Sequence, residues 1–293
     1  MTGDATPPAR EVGYYGRPVL KPPVWTWEVP VYLFVGGIAG MSAVIAFAAR
    51  VAGGEDGIVR TSLWIAVGGA LASALLLVSD LGRPTRLLHM LRVLKWRSPM
   101  SVGVWVLSAF GGLVTAALAL VLAGPGEGGW RGALLWLALG GGAVTGALLS
   151  TYTGVLLAAT AVPAWNAHRG TLPVHFGVVA LGSAAALLEL LGHPAGALHA
   201  LGLAAASVET AIGAWIEVHR HGDRDRALRT GRAALLLRGS GALAGPVSLV
   251  LRVGGLRAWA AAAFLLGALV SRFGWLEAGR ASTRDPRAAL GEG

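Results

Sequence analysis

Apolar residues in this chain gather into runs longer than the core of a soluble domain needs. They cover about 29–49, 59–79, 101–123, 132–160, 172–192, 196–218 and 257–276. A helix of ~20 apolar residues crosses the ~30 Å hydrocarbon layer, and it closes its backbone hydrogen bonds internally, as lipid demands. A weaker eighth run, about 233–253, is interrupted by Arg238, Gly239, Gly241, Gly245 and Pro246. Such a span is tolerated where neighbouring helices or water cover the freed backbone groups. The pattern predicts an all-α, polytopic membrane protein with about eight transmembrane helices.

The polar stretches set the organisation. A polar N-terminal segment, 1–28, precedes the first run. The chain then divides near Gly170 into two sets of four helices, 29–170 and 171–293, the second carrying the C-terminal tail. Eight crossings bring the two flanks of the helical region to one side, called side A here. The long polar connectors, about 80–100 and 219–232, fall on side A, whereas side B has short, glycine-rich ones such as Gly124-Pro125-Gly126-Glu127-Gly128-Gly129. Most of the 24 lysines and arginines also fall on side A; side B holds Arg50, Arg60, Arg131, Arg252 and Arg257. The positive-inside rule then turns side A to the cytoplasm of a multi-pass protein of the cell (inner or cytoplasmic) membrane. A docking face for a partner would concentrate basic residues in the same way. Trp25, Trp27, Trp96, Trp130, Trp165, Trp259 and Trp275 lie near predicted interfaces, as an aromatic belt would.

Composition sharpens the class. The chain is 55% hydrophobic and 13% charged, and its 44 glycines suit close approach of membrane helices. The net charge of +9 is therefore read as mostly reporting topology, not as a nucleic-acid footprint. Met1 to Val24 lacks the apolar core of a signal peptide. Cysteine is absent, which excludes disulfides, thiolate metal sites and an iron–sulfur cluster ligated by this chain. Haem is disfavoured as well. His175 belongs to the side-A end of the fifth helix and His199 to the side-B end of the sixth, ~30 Å apart across the membrane. No metal site is expected, so redox centres would have to come from other subunits.

A few polar residues stand out as candidates for chemistry. Glu28 and Tyr32 are four apart and share a face at the side-A start of the first helix. Tyr152 falls about ten residues before the side-A end of the fourth helix, roughly 15 Å deep. These groups can converge below the side-A surface. Their alternatives are an interface-belt tyrosine for Tyr32 and a helix-start carboxylate favoured by the dipole for Glu28. In the connector after the second helix, Arg83 and Arg86 can reach back to Asp80 across the turn residues Gly82 and Pro84. That reads as a locked turn, or as the mouth of a pocket and a partner's docking surface. Glu189 and Glu209 lie within spans, where carboxylates are costly; each is either a proton-relay element or a protonated, hydrogen-bonded structural acid.

These residues also carry a resemblance. Trp27-Glu28, Tyr32-Leu33-Phe34-Val35-Gly36-Gly37, Ser79-Asp80 through Met90, Ser98-Pro99-Met100-Ser101, Trp105 and Ser150-Thr151-Tyr152-Thr153-Gly154 resemble the NrfD/PsrC family, the polysulfide-reductase-type membrane subunits. The resemblance runs over roughly 25–285 and includes Pro163, Trp165 and Leu172-Pro173. It implies two four-helix bundles with a quinone site in the first. It also implies a catalytic tyrosine at Tyr152, with Glu28 and Tyr32 as its companions in quinone binding. Some relatives place a histidine near the start of the first helix, where this chain has Val31 and Tyr32, so the second quinone ligand stays open. The implied function is a membrane anchor that exchanges electrons between the (mena)quinone pool and an iron–sulfur (ferredoxin-like) subunit. That subunit would serve a molybdopterin-type catalytic subunit. The rival readings are a transporter or proton-conducting protein using Glu189 and Glu209, and a structural anchor without a quinone site.

Overall fold

The computed structural model describes residues 20–80, 92–96, 98–124, 128–218, 226–285 and 288. Arg83 and Arg86 lie outside the described residues. Each apolar run becomes a helix, and among the described residues eight helices are long and apolar enough to cross a membrane. They are α1 (Glu28–Val51), α2 (Asp56–Asp80), α3 (Pro99–Leu122), α4 (Gly129–Ala158), α5 (Thr171–Leu190), α6 (Gly196–Val218), α7 (Gly231–Val253) and α8 (Arg257–Arg284). The chain is a multi-pass, all-helical membrane protein.

Local chemistry marks the helix ends. The Ser98 hydroxyl accepts a 3.4 Å bond from the Ser101 amide, and Pro99 occupies the first turn of α3, the position where a missing N–H costs nothing. Glu28 opens α1 at the positive end of its dipole. At the other end, Arg50 pairs with Asp56 of α2 at 3.1 Å, pinning the short α1–α2 turn. The α7 break falls where the sequence places it. Helix runs to Ala242, loosens into a π turn over Leu243–Val247, and resumes at Ser248. Pro246 has no N–H to donate, and Gly245 leaves helical geometry at ψ −105°.

α1 packs on α2 and α4, and α3 closes that ring by touching the same two helices; α5 with α6 and α8, closed by α7, forms a second ring. The rings meet where α1 and α4 lie against α5, and α1 also touches α8. Lipid tails are as apolar as leucine, so helices associate through close packing and hydrogen bonds rather than through a hydrophobic drive. Where α1 crosses α4, Gly40 and Gly146 lie backbone on backbone, and a Cβ on either would run into the other's carbonyl oxygen. Beside that crossing, the Ser150 hydroxyl donates to the Gly37 carbonyl at 3.0 Å.

The side-A ends are tied together by aromatic residues. Trp25 stacks on Trp165 at 5.4 Å. The Trp165 indole donates to the Trp275 carbonyl of α8 at 2.7 Å. The Arg280 guanidinium donates to the Trp25 carbonyl. The entry to α1 and the exit from α8 thus share one end, as eight crossings require. The expected aromatic belt is only partly realised. Trp27, Trp96, Trp130 and Trp259 are 60–80% exposed, whereas Trp165 and Trp275 are 0% and 3% exposed and belong to the core. The Trp165 N–H and the rings of both are used inside the protein, which hydropathy alone does not reveal.

Candidate functional site

At the side-A end of the first ring, three helices and the segment before α1 bring the expected residues together. Tyr32 lies one turn into α1, roughly 6 Å down the axis, and is buried at 2% exposure. It is therefore a core residue, not a belt tyrosine. Tyr152 lies six residues before the end of α4 at Ala158, roughly 9 Å deep. That is shallower than the ~15 Å expected from sequence, because only six residues, not about ten, separate Tyr152 from the end of α4. Tyr32 packs in a core cluster with Leu157 and Ala158 of α4, the helix that carries Tyr152. The Tyr152 ring packs over Gly103 of α3, where a Cβ would collide with it, and its hydroxyl donates to the Pro99 carbonyl. Ser73 of α2 and the Tyr32 ring both flank Gly36, and the buried Ser73 hydroxyl has no hydrogen-bond partner among the described residues.

Two carboxylates sit above this pair. Glu28 is half-buried and Asp80, the last residue of α2, is exposed. The Thr26 hydroxyl donates to Glu28 and also reaches Asp80, whose carboxylate lies within electrostatic range of Glu28. The result is a neutral phenol pair with an acidic rim, all at side A. Chemically it offers hydroxyl donors to a carbonyl oxygen and a carboxylate that exchanges protons with water.

The acids of the second ring behave differently. Glu209 of α6 is 4% exposed and lies 3.1 Å from His175 Nδ1 of α5, which is itself 5% exposed. Arg272 of α8 lies within electrostatic range of Glu209. It spreads over the Phe176 ring at 3.7 Å and donates to the Phe176 carbonyl at 3.3 Å. Glu189 sits at the other end of α5, about 21 Å along the axis from His175. There Arg252 of α7 grips it with two bonds of 3.0 and 2.8 Å, and His199 stands 4.0 Å away. Glu189 and Glu209 therefore occupy separate clusters. His175, Arg252 and Arg272 were missed as interacting groups. Their legible signal was the cost of a cation or imidazole inside an apolar run, which demands a partner.

Among the described residues the chain is all-helical with eight candidate spans, and it carries a buried Tyr32, a half-buried Tyr152 and an acidic rim at one end of the first ring. Residues 19–199 match the family model described as polysulphide reductase, NrfD, and the chain belongs to that family. NrfD proteins are membrane subunits of quinone-reactive oxidoreductases. The matched stretch takes in α1 to α5 and the first residues of α6, ending before the region expected from sequence at 285. None of the curated proteins compared with the chain matches it.

Proposed function

We propose that this chain is the quinone-reactive anchor of a multi-subunit oxidoreductase. It exchanges electrons between the (mena)quinone pool and an iron–sulfur (ferredoxin-like) subunit docked on side A. A molybdopterin-type catalytic subunit lies beyond that partner. The observation that carries the reading is the Tyr32–Tyr152 pair, about 6 and 9 Å below side A, under the Glu28–Thr26–Asp80 rim. A shallow site keeps the ring near the partner's terminal cluster and lets protons reach water through a carboxylate. Tyr152 donates to one ring carbonyl, which requires its hydroxyl to turn away from the Pro99 carbonyl. Tyr32, buried beside it, holds the ring plane, and Glu28 exchanges protons at the rim. Asp80 keeps the rim acidic, and the Arg83–Arg86 connector that follows it belongs to the docking surface. The membrane is the cell (inner or cytoplasmic) membrane, and the partner determines which compartment side A faces.

The test is quinol-dependent reduction of the partner's clusters in the reconstituted complex. Tyr152→Phe keeps the ring and removes only the donor. Slowed turnover with retained assembly supports the site, and wild-type rates would favour a structural anchor. The proton-conducting alternative gains little, since Arg252 locks Glu189 about 21 Å from the Glu209 cluster.

A further inference from the structure

The second ring contains a cavity that the anchor role just described does not use. It is about 260 Å³, lies between α6 and α7, and reaches His175, Glu209 and Trp275. The broken part of α7 borders it: Pro246, inside the π turn, lines the space. At the membrane-surface edge, Glu217 and Arg238 form an ion pair at 2.7 Å. Below them the walls are apolar, and Gly213 and Gly241 contribute none of their own bulk.

The floor is polar and incompletely satisfied. His175 and Glu209 approach to 3.1 Å, yet neither His175 nitrogen and not Glu209 Oε2 has a well-directed hydrogen bond among the described residues. Both residues are more than nine-tenths buried. Buried groups of this kind cost about 1–3 kcal/mol each unless something bonds them. A donor–acceptor pair at the end of an apolar cleft is matched by a ring bearing carbonyl or hydroxyl oxygens. An imidazole N–H donates to a carbonyl, and a carboxylate accepts from a hydroxyl. The volume, just below the ~300–1,000 Å³ of small-molecule sites, takes a ring-sized head and leaves a tail outside. A tail leaving between α6 and α7 would enter the lipid.

We propose that this cleft is a second binding site for the quinone class, with the head group on His175 and Glu209 and the tail leaving between α6 and α7. The proposal rests on the quinone-reactive reading above but concerns a different bundle.

The experiment uses the full-length chain in nanodiscs of synthetic phosphatidylcholine and a photoactivatable quinone with a short isoprenoid tail. Cross-linked peptides are mapped by mass spectrometry. Labelling is expected on 206–217 and 237–246, competed by unlabelled decyl-quinone but not by decylbenzene. Gly213→Leu and Gly241→Leu should reduce it at least tenfold. Both positions line the cleft, and a Cβ at either meets nothing within 4 Å, so the added side chains fill space without forcing the backbone. His175→Phe should reduce it as well, while Tyr152→Phe leaves it intact. Equal competition by decylbenzene would mean an acyl-chain groove and would overturn recognition of the ring. Labelling confined to peptides around Tyr32 and Tyr152 would overturn the second site and leave the first standing. Labelling nowhere would sink both. The competition arm needs no variant, so misfolding of a mutant does not protect the idea.

Discussion

In the first ring α1 and α4 meet backbone on backbone at Gly40 and Gly146, whereas in the second α5 to α8 meet around buried charges. The first is assembled from small residues and hydroxyl-to-carbonyl bonds, such as Ser150 to Gly37, and its phenol pair is neutral. The second holds Arg252 against Glu189 and His175 against Glu209, with a helix broken at Gly245-Pro246. Both arrangements answer one problem, namely that lipid gives helices no hydrophobic reason to associate. They fail differently. A packed glycine crossing is intolerant of volume, and a buried ion pair is intolerant of losing one partner.

The largest expected effect follows from that second intolerance. Arg252→Met removes both short bonds to the buried Glu189 carboxylate, leaving only His199 at 4.0 Å, and should cost about 3–5 kcal/mol, while adding Glu189→Met should restore most of it. Unfolding in mixed micelles measures both; a double variant no better than the single one would show that the pair does not hold the ring together. Next comes volume. Gly146→Val forces α1 away from α4 and should cost about 1–3 kcal/mol, read as a lower midpoint in the same assay. An unchanged midpoint would mean that the crossing can slide apart at little cost.

Activity predictions test the other half of the comparison. Tyr152→Phe should slow quinol-dependent cluster reduction about ten- to hundredfold, equivalent to roughly 1.4–2.8 kcal/mol. Its stability should fall by only about 1 kcal/mol, for the lost bond to Pro99. If stability alone changes, the hydroxyl serves the α3–α4 contact and not turnover. Glu28→Gln is expected to have the smallest effect, less than tenfold at one saturating quinol concentration, because Asp80 remains beside it to carry protons. A loss as large as that of Tyr152→Phe would make Glu28 the sole exchange group.

Much of this was readable from the chain, and the parts that were not share a cause. The spans, the α7 break and the cap at Ser98-Pro99 depend on residue types close together in sequence. The Arg252–Glu189 pair joins residues 63 apart, and the His175–Glu209 pair joins neighbouring helices through their rotation. Neither leaves a mark beyond the cost of a polar residue in an apolar run. Trp165 and Trp275 were misplaced for a related reason. A tryptophan near a helix end suits an interface equally well, and only the Trp25–Trp165 stack and the bond to the Trp275 carbonyl turn it inward.

Sequence by itself determined the eight apolar runs that form the candidate spans among the described residues, where the seventh breaks, and which residues belong at side A. Those are properties of single segments, set by transfer of apolar side chains into lipid and by backbone groups that must bond within their own helix. Tertiary structure decided which buried acid meets which base, that Tyr32 is core, how deep Tyr152 sits and that α6 and α7 leave a cleft. Those depend on how each helix is rotated and shifted against its neighbours, which is fixed by packing among residues far apart in sequence.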